Sequence, residues 1–236
     1  MGKQTNIKLR GTVGNTIYYQ WKGIHCTRTV PARVRQTGNT RKAASLFGVA
    51  VKSAATVRSL VKPLLPAVTD RAVIYALDGA FRKWLHTSPL ESTAPADDLD
   101  PFEEFSFNPA ARLGKLYSIV EASRTNSSDV LISLPAFNPL QDVTAPRGTQ
   151  RLGVEVMAVT LPFSSTEQAN CAGAKIMIPY TDAEVPAQQI QIAGVTGLKS
   201  LVLITMTVRY YKSENSTVPI NQVRWKPLSI VGSFYN

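Results

Sequence analysis

Histidine and cysteine are almost missing from this 236-residue chain, which has two of each: His25, His86, Cys26 and Cys171. Two cysteines 145 positions apart make no disulfide framework, so stability must come from a packed core, and a reducing compartment is the default. His25 and Cys26 are neighbours and so point to opposite faces of a strand. His86 and Cys171 stand in no ligand spacing, and no metal site is expected. Cys171, in the run Asn-Cys-Ala-Gly-Ala-Lys, reads as a small buried residue. With two histidines and no Gly-x-Ser-x-Gly, nucleophilic catalysis has no constellation to use. Residues 194–200 (GVTGLKS) lack the interval of a phosphate loop. Glu103, Glu104, Glu121 and Glu155 offer no evident carboxylate pair. The expectation is a protein that is not an enzyme, with no cofactor and no small-molecule substrate.

Long apolar runs are also lacking. The longest, Leu201–Met206 (LVLITM), is far too short to span a bilayer, and no membrane association is expected. The first eleven residues, MGKQTNIKLRG, contain no apolar segment of a secretory signal, which leads us to expect synthesis in the cytoplasm. Charge is sparse, at 18%, against 44% hydrophobic residues, a balance that belongs to a globular chain rather than a disordered one.

Acids are absent from the front: none precedes Asp70. Residues 1–90 hold fifteen Lys and Arg and two Asp, whereas residues 91–104 hold six acids and no base. The remaining residues carry eleven bases and eight acids, and the formal net charge is +10. A basic front next to a short acidic run suits either binding of a polyanion or pairing of charges between subunits. The candidate contact residues are Arg28, Arg33, Arg35, Arg41, Lys42, Lys52 and Arg58. The candidate acidic arm comprises Asp97, Asp98, Asp100, Glu103 and Glu104.

What is present gives the architecture. Thr16–Trp21 is rich in β-branched and aromatic residues, Lys22-Gly23 offers a turn, and Ile24–Val30 alternates, which predicts a β-hairpin. Gly11 and Gly14 are placed for positive φ or close approach. A turn at residues 37–40 leads into a helix over 41–61, with Leu46, Phe47, Ala50, Val51, Ala54, Val57, Leu60 and Val61 as its apolar stripe. Pro63 and Pro66 stop it. A second helix, capped at Thr69-Asp70, buries Val73, Ile74, Leu77, Phe81, Trp84 and Leu85 and ends near His86. The two form an α-hairpin.

Beyond residue 105 short β segments follow, near 116–122, 129–134, 152–161, 174–179, 188–192, 200–211 and 229–235, with a weaker one at 223–226. Gln189 and Gln191, like Thr205 and Thr207, alternate with apolar residues as in half-buried antiparallel strands. The fold class read from this is α+β and mainly β: an N-terminal β-hairpin and α-hairpin, then an antiparallel β-sandwich or jelly-roll-like domain. The divisions expected are 1–88, a basic hairpin and two-helix region; 89–104, an acidic Pro-rich linker or arm; and 105–236, the sandwich.

One stretch carries a family likeness. Gly11, Gly14 and Asn15 open it; a strand ending in Trp21-Lys22-Gly23 follows, then Arg28 and Pro31, an Asn39-Thr40 turn and a helix with Phe47 at its centre. These residues, roughly a quarter of the chain, resemble the start of an uncharacterised family of bacterial and mobile-element proteins. The resemblance implies a β-rich C-terminal part and a lean toward phage or other mobile-element particles; it implies no activity. The function expected is therefore a structural protein that self-assembles as a homo-oligomer into a particle, a virion component, its basic front touching neighbours or packaged nucleic acid. The alternative is a nucleic-acid-binding module that uses the same basic face.

Overall fold

The computed structural model describes residues 2–4, 8–30, 36–65, 70–87, 101–103, 105–116, 120–125, 129–163, 167–193 and 199–235. It divides into two compact units, Met1–Ala44 and Ser45–Asn236.

The first unit is an antiparallel sheet of β1 (Gly2–Lys3), β2 (Gly11–Val13), β3 (Thr16–Trp21) and β4 (Ile24–Thr29), in the order β1-β4-β3-β2. Lys22 and Gly23 take φ of 48° and 80°, so both central residues of the β3–β4 turn are left-handed. That handedness matches the right-handed strand twist and makes the expected hairpin compact. Gly14, at φ 56°, opens the tight turn between β2 and β3. The strands β1 and β2, three residues or fewer each, escaped the sequence reading because they are too short to show a period.

Helix α1 (Gly38–Leu60) begins in this unit and continues into the second. It starts earlier than the spacing predicts, because Thr37 is the cap. The Thr40 N–H donates to Thr37 Oγ1 (3.2 Å) and the Arg41 N–H to the Thr37 carbonyl (3.0 Å). The apolar stripe also starts late. Ala50, Ala54, Val57 and Val61 are buried, but Leu46 and Phe47 are 37% and 55% exposed. Helix α2 (Arg71–Thr87) is capped by Asp70, whose carboxylate accepts the Ala72 N–H at 3.0 Å. It buries Val73, Leu77, Phe81, Trp84 and Leu85 as expected, while Ile74 is only half-buried.

The rest of the second unit is two antiparallel sheets. One has the order β11-β10-β7-β8, from β7 (Arg151–Pro162), β8 (Asn170–Pro179), β10 (Ser200–Tyr211) and β11 (Leu228–Tyr235). The other has the order β5-β6-β9, from β5 (Glu121–Arg124), β6 (Val130–Leu134) and β9 (Gln188–Ile192). The mainly β, antiparallel class read from the sequence is what the chain adopts, and neither sheet closes into a barrel.

Side-chain parity sorts the core into two layers. Even-numbered residues such as Val154, Val156, Ile204 and Met206 meet Ile132, Leu134, Ile190 and Ile192 from the smaller sheet. Odd-numbered residues such as Val159, Leu161, Leu201 and Leu203 meet Ala54, Val57, Leu77, Phe81 and Trp84 from the helices. Each fully buried large side chain in these layers contributes about 1.5–3 kcal/mol. Because β10 is covered on both faces, Thr205 and Thr207 are buried, at 0% and 1% exposure, and not solvent-facing as their alternation suggests. Thr205 Oγ1 compensates by donating to the Met157 carbonyl (3.1 Å).

Two further expectations are corrected. Val223–Trp225 is a 3-10 turn and not a strand. The Asn108 amide donates to the carbonyls of Val223 (2.7 Å) and Lys226 (2.9 Å), and Trp225 packs edge-on to Tyr210, which together fix the turn. Cys171 is exposed, whereas Cys26 is the buried thiol. Most of the expected linker, residues 89–100 and 104, lies outside the described residues. At its end Phe102 is fully buried and meets Phe81 edge-on, ring centroids 4.8 Å apart.

Candidate interaction surfaces

Three places gather charged or exposed aromatic side chains. The first is one face of the hairpin sheet. Register pairs Ile17 with Arg28, Tyr19 with Cys26 and Trp21 with Ile24, and directly opposed residues share a face. Arg28 therefore lies diagonally from Tyr19, with its guanidinium carbon 5.7 Å from the ring centroid. Trp21 is 53% exposed and carries Lys22 Nζ at 5.1 Å. Cations resting on aromatic rings at an open surface can contact phosphate or stack on bases.

The second is the front half of α1. Residues 38–48 are exposed throughout, so Arg41, Lys42, Leu46 and Phe47 all face solvent, and Lys52 does too. Arg58, on the same helix, has a different role: its guanidinium bonds Asp78 of α2 at 3.0 Å, with both side chains mostly covered. The sequence-predicted basic set is thus split. Arg41, Lys42 and Lys52 are exposed on α1, Arg28 lies on the sheet, Arg58 ties the two helices together, and Arg33 and Arg35 lie outside the described residues. Of the acidic set Glu103 is exposed, and Asp97, Asp98, Asp100 and Glu104 lie outside the described residues.

The third place was not read from the sequence. On the helix-side face of the larger sheet, Glu155 accepts from Lys175 (3.0 Å) and Arg209 (2.9 Å). Lys175 Nζ also lies 2.7 Å from the Tyr211 hydroxyl, and Arg209 donates to the Pro63 carbonyl (3.0 Å). Burial lowers the Lys175 pKa, but the Tyr211 hydroxyl and the Glu155 carboxylate outweigh it and hold it above the ordinary lysine value. Burial, then Arg209, hold Lys226 below it. Glu155, Lys175, Arg209 and Tyr211 lie up to 56 positions apart, and only the strand register brings them together. Their shared odd parity was the one signal available. The arrangement locks the turn after α1 to the sheet.

One cavity of about 270 Å³ borders β8 and the start of β9, and another of about 180 Å³ borders β5, β6 and β9. The larger has Glu184 among its lining residues and the smaller Glu121, with no histidine, lysine or cysteine beside either. Among the described residues no three metal-ligating side chains come together.

No known family model matches the chain. Neither a curated protein nor a solved structure matches it.

Proposed function

We propose that this protein is a non-enzymatic structural protein that assembles with copies of itself, as a component of a phage or mobile-element particle. The observation that carries the reading is the front half of α1, a capped helix that leaves Leu46 and Phe47 exposed beside Arg41 and Lys42. An exposed helix that shows two adjacent large apolar side chains to solvent beside basic ones is a surface suited to a partner. A second copy suits it by charge. The front of the chain has no acid before Asp70, and the run from 91 to 104 has six acids and no base, so unlike parts of two copies attract while like parts repel.

Light scattering coupled to size-exclusion chromatography tests this. The wild type is expected to form assemblies at low salt, and Phe47→Asp to shift them toward smaller species. A wild-type monomer at high concentration and low salt would remove the proposal.

One observation favours a second reading, that the hairpin face binds nucleic acid: the Arg28–Tyr19 and Lys22–Trp21 pairs, with Trp21 open to solvent. Binding of DNA or RNA that falls steeply with salt, and is lost when Arg28, Arg33, Arg35 and Arg41 become Gln, supports it. No binding of either polymer at low salt removes it.

A further inference from the structure

Proteins guard the free edges of sheets with charge, proline, bulges or a covering segment, because an open edge is a template for another strand. The larger sheet treats its two edges differently. Along β11, the Phe107 N–H donates to the Leu228 carbonyl (2.8 Å) and the Ile230 N–H to the Phe105 carbonyl (2.9 Å), so residues 105–107 cover that edge. A register shift opposite Ile204 and Thr205 breaks it further. Strand β8 has neither device. It pairs with β7 in unbroken register from Thr160↔Asn170 to Arg151↔Pro179.

The outward groups of β8 follow from that register. One step beyond Pro179, the Tyr180 N–H donates to the Gln150 carbonyl at 2.8 Å. Antiparallel residues alternate between bonded and non-bonded pairs. The even residues of β8 therefore bond to β7, and Cys171, Gly173, Lys175 and Met177 turn their N–H and C=O groups outward. Pro179, which has no N–H, falls on the outward set. Among the described residues no hydrogen bond reaches the outward groups of Cys171, Gly173 or Lys175, and all three residues are exposed. The single charge on the strand does not guard it either, since Lys175 reaches across the sheet, away from the edge, to Glu155 and Tyr211.

We propose that β8 pairs with β8 of a second copy, antiparallel about a two-fold axis at Gly173, joining the two larger sheets into one. This rests on the self-assembly reading and names a contact within it. The register is selected by the side chains. An axis at Gly173 opposes Gly173 with its own copy, Ala172 with Ala174, and Cys171 with Lys175, so only small or unlike residues meet. An axis at Lys175 would set two ammonium groups face to face. An axis at Cys171 would leave only residues 170–172 of each β8 in register. The Gly173 register makes about six backbone hydrogen bonds from the outward groups of Cys171, Gly173 and Lys175 on both copies.

Cross-linking tests the register. In Lys175→Cys the new thiol faces the second copy's Cys171, with Cα atoms about 5.5 Å apart, within the range of a disulfide. Diamide, a thiol oxidant, takes two protons and two electrons from the thiol pair, becoming the hydrazine, and leaves one S–S bond. The expected result is a covalent dimer on a non-reducing gel. It should fall at least about tenfold when Cys171→Ser is added, and should be weak in wild type and in Met177→Cys. The second variant is Cys171→Pro, which removes an outward N–H and no bond to β7, with circular dichroism confirming the fold. Its assemblies should lose the β8-joined species, and that species in wild type should survive about 0.5 M salt, since no opposite charges hold it. Assemblies that form normally in Cys171→Pro, with no Lys175→Cys cross-link, would overturn the β8 contact and leave self-assembly standing. A wild-type monomer under all conditions would overturn both.

Discussion

Tyr210 sits on the sandwich side of β10, donating its hydroxyl to the Thr144 carbonyl at 3.2 Å and packing edge-on to Trp225. Burial, with a smaller contribution from Tyr180, pushes its pKa from 10.0 up to about 12. The unfolded chain ionises this phenol near pH 10 while the folded chain keeps it neutral to about 12. The contribution of this phenol to stability is therefore complete below pH 10 and falls by about 3 kcal/mol as pH rises through 12. Urea unfolding at pH 9 and 11.5 should show the loss. Tyr210→Phe should flatten it, from a starting point about 1 kcal/mol lower for the missing hydrogen bond. Two glycines give a second comparison at this scale. A Cβ on Gly153 would meet the Tyr211 ring at 3.0 Å and the flexible ends of Lys175 and Met177 at 3.2 Å, whereas one on Gly173 would meet the Val156 carbonyl at 2.9 Å. Side-chain ends can move and a ladder carbonyl cannot. Gly173→Ala is expected to cost more in thermal unfolding than Gly153→Ala, by about 1–2 kcal/mol. Equal costs would show that the β7–β8 ladder yields at that point.

At the scale of elements, α1 joins two demands on one helix. Its second half is fixed by Ala50, Ala54, Val57 and Val61 against α2 and the sheet, and by the Arg58–Asp78 bond. Its first half has no such support. Arg58→Met, which strips a mostly covered Asp78 of its partner, should destabilise the fold by about 1–3 kcal/mol. Phe81→Ala, which opens the centre of the helix layer, should cost about 3–5 kcal/mol. Phe47→Asp should leave the monomer within about 0.5 kcal/mol, because the side chain is already exposed. Thermal unfolding of the three variants checks the order. The elements themselves were largely legible in the sequence, since β6, β7, β9 and β10 have strong local periodicity or long β-branched runs. What was not legible depended on cover from distant residues. Nothing in Leu46 and Phe47 says that the layer they would pack on ends at Val49, and nothing in Thr205 or Thr207 says that helices cover their face. The Glu155 cluster was hidden for the same reason, and so was the difference between the β8 and β11 edges, which exists only once strand order is known.

At the scale of the whole molecule, the sequence places opposite charge in neighbouring stretches, with two acids among residues 1–90 and no base among residues 91–104. The second unit adds a regular sheet edge that is open at Cys171, Gly173 and Lys175. The two proposed contacts, one electrostatic and apolar through α1 and one made of backbone hydrogen bonds through β8, would together carry a chain beyond a dimer into extended assemblies. They are expected to respond differently to salt, the first weakening as ionic strength rises and the second not. The most direct measurement is the mass of the purified protein by light scattering over a range of concentration and salt. Species at multiples of 25.7 kDa that grow with concentration, and shrink only partly in high salt, are the expected result. A single 25.7 kDa species at high concentration and low salt would contradict the account.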